Sequence, residues 1–492
     1  MSAEISEPQM LDVAIIGAGF AGIGMAKKLR DAGINNVLVL ERGDAIGGTW
    51  RDNHYPGCAC DVPSHLYSFS FRQNPDWSRL YPEQGELRAY LENCVDEFGL
   101  RERIRLNCRV DTAQFDESLP GWRITCGNGD TLLARTLVSA IGGLSRPSTP
   151  GIPGFDTFEG ESFHSADWDD EVSLDGKRVA VIGTGASAIQ FVPRIADTAG
   201  TLTLFQRTPP WVVAKNDRPM RGWEKSLFRF FPPARWLFRT LLYWRQEVLG
   251  VGFTVSPRLM TLGRHQALRH LADGIRDPEL RRRLTPDYQI GCKRVLLSDD
   301  YYPSLEKDNV VVNTDGIERF TRDGIVDATG THHPVDVVIY ATGFNAIDPL
   351  SPTRIIGRGG RELATDWANG PEAYLGISVA GYPNLFLLMG PNTGLGHNSV
   401  IFMIESQIRY VRTLIKRVLR RKDTTLDVRE DAQTDFNSRL QKSLRGTVWT
   451  SGCSSWYQTD TGRLIAIWPG FTFTYWFRTL RPKLGRYLLQ SH

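Results

Sequence analysis

The chain has 492 residues, of which 41% are hydrophobic and 23% charged, a composition that suits two or three ordinary globular domains. Its 58 basic and 55 acidic residues leave a net charge of +3, too small an excess to point to a nucleic-acid partner. No run of about 18 apolar residues occurs, which argues against a helical membrane span.

The opening MSAEISEPQM is polar and acidic and lacks the basic and apolar regions of a secretory leader. Seven cysteines are scattered along the chain, an odd number that reads as reduced thiols in a cytoplasmic protein. The first periodic segment, Leu11 to Ile16, is an apolar strand. Gly17-Ala18-Gly19-Phe20-Ala21-Gly22 follows at once and opens a helix that runs to about Arg30. Val37-Leu38-Val39-Leu40 then forms a second strand closed by Glu41. A glycine-rich turn between a strand and a helix lets the backbone approach a pyrophosphate, which the helix N-terminus attracts. The same plan returns at 178–207. Arg178 to Ile182 is a strand, Gly183-Thr184-Gly185-Ala186-Ser187-Ala188 is the turn, a helix runs to about Ala196, and a strand ends at Phe205.

The two copies differ in charge at one offset. Glu41 lies 24 residues after Gly17 (41 − 17), and Arg207 lies 24 after Gly183 (207 − 183). A carboxylate accepts hydrogen bonds from a free ribose diol and repels a 2′-phosphate, whereas a guanidinium binds that phosphate. The first site is therefore expected to hold a dinucleotide with an unphosphorylated ribose, and the second NADP. The fold expected is α/β, with two Rossmann-type dinucleotide-binding domains.

Residues 217–289 read as a helical insertion in the second domain, with Trp223, Phe228, Phe230, Phe231, Trp236, Phe238, Tyr243 and Trp244 interleaved with Arg and Lys. A membrane-surface helix has this composition. A helical subdomain packed on the sheet is favoured, because Pro232-Pro233 interrupts the pattern and aromatics are commonly buried. Further on, Asp336 to Gly343 reads as a buried strand with a small-residue turn. Pro383 to Gly390 reads as another strand, and a helix begins at Val400, its N-terminus free to face an electron-rich ring. Cys58-x-Cys60 has poor spacing for a disulfide and is not expected to be redox-active.

Two further motifs carry a family resemblance. The segment from Phe158 through Gly160 and His164 to Trp168-Asp169 resembles the F-x-G-x-x-x-H-x-x-x-W-[PD] fingerprint of type I Baeyer–Villiger monooxygenases. Gly47-Gly48-Thr49-Trp50, Tyr55-Pro56-Gly57 and Asp61 resemble that family's G-G-x-W…[YF]-P-G-x-x-x-D pattern. The resemblance implies FAD at the first site and NADPH at the second. It implies insertion of one oxygen atom from O2 beside a ketone carbonyl, through a C4a-peroxyflavin, to give an ester or lactone, with sulfoxidation as a side activity. It places Thr49, Trp50, Tyr67 and the backbone of Val110 along the FAD, and Arg207, Thr208 and Lys293 on the 2′-phosphate. The segment Gly291-Cys292-Lys293-Arg294, followed by Tyr301-Tyr302, resembles the family's arginine segment. Arg294, oriented by Asp61, is then the group that stabilises negative charge at the reaction centre. Ser455-Trp456-Tyr457 resembles a segment that reaches toward substrate, which makes Trp456 a candidate pocket residue. His164 reads as a structural residue that holds an interdomain linker, and Trp168 as packing.

These readings divide the chain into an FAD-binding domain at 1–145 and 377–492 and an NADPH-binding domain at 146–216 and 290–376, with the insertion at 217–289. The rival readings are a sulfur- or nitrogen-oxidising flavin monooxygenase on the same fold, and a flavoprotein reductase that does not oxygenate.

Overall fold

The computed structural model describes residues 10–345, 350–453 and 455–492. The acidic opening on which the leader-peptide expectation rests lies, apart from its last residue, outside the described residues.

Two sheets organise the chain. The first runs in the order Arg354–Ile356, Val110–Asp116, Gly121–Cys126, Thr131–Ser139, Leu11–Ile16, Val37–Leu40, Ile104–Arg105, and Leu385–Leu387 also pairs with Thr131–Ser139. The second is parallel throughout, in the order Val310–Asn313, Thr201–Phe205, Arg178–Ile182, Val337–Tyr340, Glu161–His164. Its central strands are covered on both faces, which is why Val179 to Ile182 and Val337 to Tyr340 read as unbroken apolar runs. One apolar core passes through both units, from Val13 and Ile15 to Val179, Val181 and Ile339. The chain re-enters the first sheet at Arg354, earlier than the expected return at 377. The strand expected over Pro383–Gly390 shortens to Leu385–Leu387.

The internal repeat is geometric as well as sequential. The Gly17 N–H donates to the Leu40 carbonyl at 2.8 Å, and the Gly183 N–H donates to the Phe205 carbonyl at 3.0 Å. Both glycines have positive φ, 103° and 105°. A Cβ on Gly17 would stand 2.7 Å from the Ala140 oxygen, and one on Gly183 would stand 2.6 Å from the Ala341 oxygen. In each unit the first glycine is therefore required twice, by its backbone angle and by the crossing strand end.

The insertion forms four helices, Gly222–Phe230, Pro232–Thr254, Met260–Gly274 and Pro278–Arg283. Pro232 and Pro233 break the helical run as expected, since one helix ends at Phe230 and the next begins at Pro232. They occupy the first positions of the long helix, where a missing N–H costs nothing. The expectation of buried aromatics holds for only part of the set. Phe228 and Phe238 turn inward onto His65, with ring centroids 4.8 and 5.2 Å away. Trp223, Phe230, Phe231, Trp236 and Trp244 are exposed. The reduced-thiol expectation is corrected at two positions. Cys292 and Cys453, 161 residues apart in sequence, form a disulfide with Cα atoms 6.2 Å apart. Distance along the chain concealed a pair that only folding brings together. Cys58, Cys60, Cys94, Cys108 and Cys126 are free and buried.

The tightest glycine contact yields a test of this packing. A Cβ on Gly22 would lie 1.9 Å from the Gly17 carbonyl oxygen, a backbone atom that cannot swing aside. Gly22→Ala is expected to cost about 1–3 kcal/mol of stability in denaturant unfolding, together with weaker retention of the flavin. An unchanged midpoint would show that this turn is looser than its geometry.

Candidate active site

At the first turn, the helix Phe20–Arg30 starts from Gly19, with no side chain capping its free N–H groups. A second glycine turn faces it, since a Cβ on Gly48 would lie 3.1 Å from the Gly19 Cα. Thr49 and Trp50 begin the short helix that leaves Gly48. Uncapped N–H groups between two glycine backbones form the cradle that a pyrophosphate needs. Glu41 is buried, with one carboxylate oxygen accepting from the Ala18 N–H at 2.8 Å. The other accepts from the Gly43 N–H at 2.9 Å and from Arg51 at 2.6 Å. Three bonds leave a carboxylate some acceptor capacity for a ribose hydroxyl. Arg51 was not singled out in the sequence, where nothing distinguishes it from other surface arginines. The Trp50 indole N–H donates to the Tyr67 hydroxyl at 3.3 Å, and Tyr67 meets Phe20 edge-on at 5.4 Å. Val110 is buried at a strand start, and its carbonyl accepts from the Thr353 hydroxyl. These residues fit an FAD.

At the second turn, the Thr184 hydroxyl donates to the Thr208 carbonyl at 3.3 Å, tying the turn to the segment after Arg207. Gly185, Ala186 and Ser187 lead into the helix Ala188–Ile195, again without a side-chain cap. Burial lowers the Lys293 pKa, and the neighbouring Arg207 charge lowers it further. Neither cation makes an ion pair among the described residues. Two cations that repel each other across one space suit a dianionic phosphate, so these residues fit NADP.

Arg294 and Asp61 meet as the motifs imply. The guanidinium donates through Nε at 3.2 Å and Nη2 at 2.5 Å, both to Asp61 Oδ2. Burial opposes the Asp61 charge, but Arg294, helped by Lys215, holds its carboxyl below the usual carboxylate range. Asp61 in turn pushes the Arg294 pKa upward, so the guanidinium is permanently charged. Asp61 engages two of its five N–H donors. Tyr457 is buried beside Arg294, whereas Trp456 stands 48% exposed. The residue that the fold brings to Arg294 is thus Tyr457, the neighbour of the candidate Trp456. The Cys292–Cys453 disulfide ties the Lys293-Arg294 segment to the Trp456-Tyr457 segment. Cys58 and Cys60 are buried thiols, the first pushed up to about 12 and the second higher, so neither supplies a thiolate at neutral pH.

The two fingerprints also hold the units together. The Tyr55 hydroxyl donates to the Gln190 side-chain oxygen at 3.0 Å, and the Gln190 amide donates back to the Ala59 carbonyl at 2.9 Å. A Cβ on Gly57 would lie 2.7 Å from the Gln190 carbonyl oxygen. The motif Tyr55-Pro56-Gly57 is therefore shaped to seat on the helix behind the second turn. Trp168 packs on Phe163 and Phe191, with centroids 5.1 and 5.3 Å away. Gly160 leaves room for the Phe158 ring and the Asp336 carbonyl. His164 is buried, and its Nδ1 accepts from the Ala166 N–H at 3.0 Å. Burial lowers its pKa while the Gly343 carbonyl pulls the other way. Gly343 belongs to the strand end that pairs with the linker, where the Ser148 N–H donates to it at 2.9 Å.

The helix Val400–Leu419 does not start open. The Ser399 hydroxyl accepts from the Ile401 N–H at 3.2 Å, so its N-terminus is partly satisfied within the chain. Beside it Glu247, from the insertion, is buried and accepts from Asn398 at 2.6 Å and from the Thr472 hydroxyl at 2.5 Å. Sequence reading missed this carboxylate, because a single Glu in an amphipathic helix reads as solvent-facing.

A family model described as pyridine nucleotide-disulphide oxidoreductase matches residues 14–223. A Baeyer-Villiger monooxygenase of Pseudomonas aeruginosa is 49% identical over 465 residues, which cover 94% of this chain and 88% of that protein. A closed crystal structure of cyclohexanone monooxygenase matches with a TM-score of 0.88 at 28% identity, covering 99% of this chain and 100% of the other. A structure of OTEMO in complex with FAD and NADP matches with a TM-score of 0.88 at 28% identity, covering 99% and 100%.

The depressed pKa of Asp61 gives a pH dependence with a definite sign. Its ionised form favours the folded state, so its contribution is complete above the unfolded-state pKa of about 4 and fades as pH falls through the lower folded value. Denaturant titrations should show the wild type losing stability more steeply than Asp61→Asn below about pH 4. Parallel slopes would mean that the pair contributes nothing to folding.

Proposed function

This chain belongs to the Baeyer–Villiger monooxygenase family, and on that premise we propose that Arg294, held by Asp61, is the charge-stabilising group of an oxygen insertion beside a ketone carbonyl. The enzyme is an FAD- and NADPH-dependent monooxygenase. Ketone, O2, NADPH and a proton become ester or lactone, NADP+ and water, so one oxygen atom enters the C–C bond and the other leaves as water. Bound FAD, reduced by NADPH, supplies the chemistry that activates O2. The chain's own residues bind, orient and stabilise.

The observation that carries this reading is the Arg294–Asp61 pair. Oxygen adding to a carbonyl carbon leaves negative charge on the carbonyl oxygen. The N–H donors of Arg294 that Asp61 does not take can meet that charge at no cost in reorganisation, because Asp61 already fixes the guanidinium plane. Asp61 is a positioning residue that acts through Arg294. Tyr457, buried against the same guanidinium, bounds the space on one side. Gly17, Gly19, Phe20, Gly22, Glu41, Gly48, Thr49, Trp50, Tyr67 and Val110 are assigned to FAD. Gly183, Thr184, Gly185, Ala186, Ser187, Arg207, Thr208 and Lys293 are assigned to NADPH. Phe158, Gly160, His164 and Trp168 keep the two units in register. A cytoplasmic placement is supported by the five free cysteines and opposed by the Cys292–Cys453 bridge.

Two substitutions test these assignments. Arg294→Met should abolish ester formation from a panel of linear, cyclic, aromatic and steroidal ketones, while anaerobic stopped-flow still records flavin reduction by NADPH. Ester produced at the wild-type rate would overturn the role of Arg294, and sulfoxide without any ester in the wild type would overturn the ketone assignment. Arg207→Ala should raise the KM for NADPH by about 10- to 100-fold and leave that for NADH nearly unchanged. An equal rise for both cofactors would remove Arg207 from the 2′-phosphate.

A further inference from the structure

The exposed side of the insertion is apolar where a surface helix is ordinarily polar. Along Pro232–Thr254 the residues Leu237, Leu241, Trp244 and Val248 recur at one helical face, and all are exposed, Val248 to 66%. At the tip between the first two helices, Phe230 is 79% exposed and Phe231 56%, followed by exposed Pro232 and Pro233. The opposite face of the same helix is conventional. Leu242, Glu247, Gly250 and Phe253 are buried, and Phe253 stacks on Trp449 at 6.0 Å. The outward stripe is therefore not surplus core.

Charge along this stretch is strongly biased to one sign. Residues 221–264 contain eight basic side chains and two acidic ones, Glu224 and Glu247. Both acids are buried, Glu224 against Arg218 and Glu247 against Asn398 and Thr472. Arg221, Arg229, Arg245, Arg258 and Arg264 are exposed, and among the described residues only Arg229 of these five forms an ion pair, with Asp76, while Arg245 reaches Tyr81. The surface continues onto the C-terminal helix. Trp244 meets Phe473 at 6.1 Å, Phe477 is exposed, and Arg478, Arg481 and Lys483 follow it. Between the two lies a groove of about 400 Å3 lined by Trp236, Tyr243, Phe402, Trp476, Arg239 and Arg409, with Glu405 at its wall bound to Ser70.

We propose that this face docks on an anionic lipid bilayer, lying on the membrane without spanning it, with Phe230, Phe231, Trp236, Trp244 and Val248 in the interface and the arginines on the lipid phosphates. No helix among the described residues is long and apolar enough to cross a bilayer. Aromatic and aliphatic side chains on one face, flanked by cations, match the chemistry of the headgroup boundary. A second copy of the chain fits less well, because a symmetric interface would bring the same cationic surface against itself.

The test is flotation of the FAD-loaded enzyme with phosphatidylglycerol-containing vesicles and with phosphatidylcholine-only vesicles, across a salt series. Binding is expected to the anionic vesicles only, weakening as salt rises. Trp236→Ser/Trp244→Ser/Val248→Ser should weaken it by at least about tenfold, since three apolar side chains leave the interface. Arg481→Glu/Lys483→Glu should weaken it at low salt. Flavin absorbance and turnover of a water-soluble ketone should be unchanged in both variants, because none of these residues is in the core. No flotation at low salt, or flotation indifferent to the triple variant, overturns the proposal. So does a wild-type dimer that the triple variant dissolves without any vesicle binding.

Discussion

The bond from Arg294 to Asp61 is the constraint on which the rest of the arrangement depends. Asp61 follows the first glycine turn, and Arg294 follows the helical insertion, 233 residues later. Removing either partner would leave a half-buried charge without its counter-ion. The two units therefore cannot drift apart without exposing or orphaning that pair, and their contact surface is built to prevent it. Gln190 grips Ala59 and the Tyr55 hydroxyl, Gly57 admits the Gln190 carbonyl, and Trp168 fills the space beside Phe191. The site is a junction between two dinucleotide-binding units, and the motifs around it are the parts of that junction.

The disulfide adds a second fastening on the other side of the same arginine. Cys292 precedes Lys293 and Arg294, and Cys453 precedes Trp456 and Tyr457, so the bridge fixes the wall that Tyr457 forms. Arg294 thus sits between a carboxylate from the first unit and a phenol from the C-terminal segment. Asp61 bonds it directly, Lys215 helps hold Asp61 ionised, and Arg207 and Lys293 form a separate cationic space suited to phosphate.

The insertion serves both surfaces at once. Its inner face contributes Glu247, buried with Asn398 and Thr472, and Phe253, stacked on Trp449. Its outer face carries exposed tryptophans and arginines. One helix thereby links the packing that surrounds the site to the surface that meets the surroundings. That division explains why its composition is ambiguous when read as a string. The same aromatic residues are core at Phe228 and Phe238 and solvent-facing at Trp236 and Trp244.

The amino-acid sequence by itself determined what local geometry and short-range chemistry dictate. Both strand–turn–helix units were legible because a glycine with positive φ at a strand end admits few substitutes. The contrast between the two turns was legible too, because Glu41 and Arg207 oppose each other in charge at a matched offset. The tertiary structure decided what depends on which distant segments meet. It paired Cys292 with Cys453 across 161 residues, put Tyr457 against Arg294, buried Glu247, and turned half of the insertion's aromatics outward. Periodicity tells which residues share a helix face, but not whether that face meets a core or the outside. That depends on what the rest of the chain leaves uncovered.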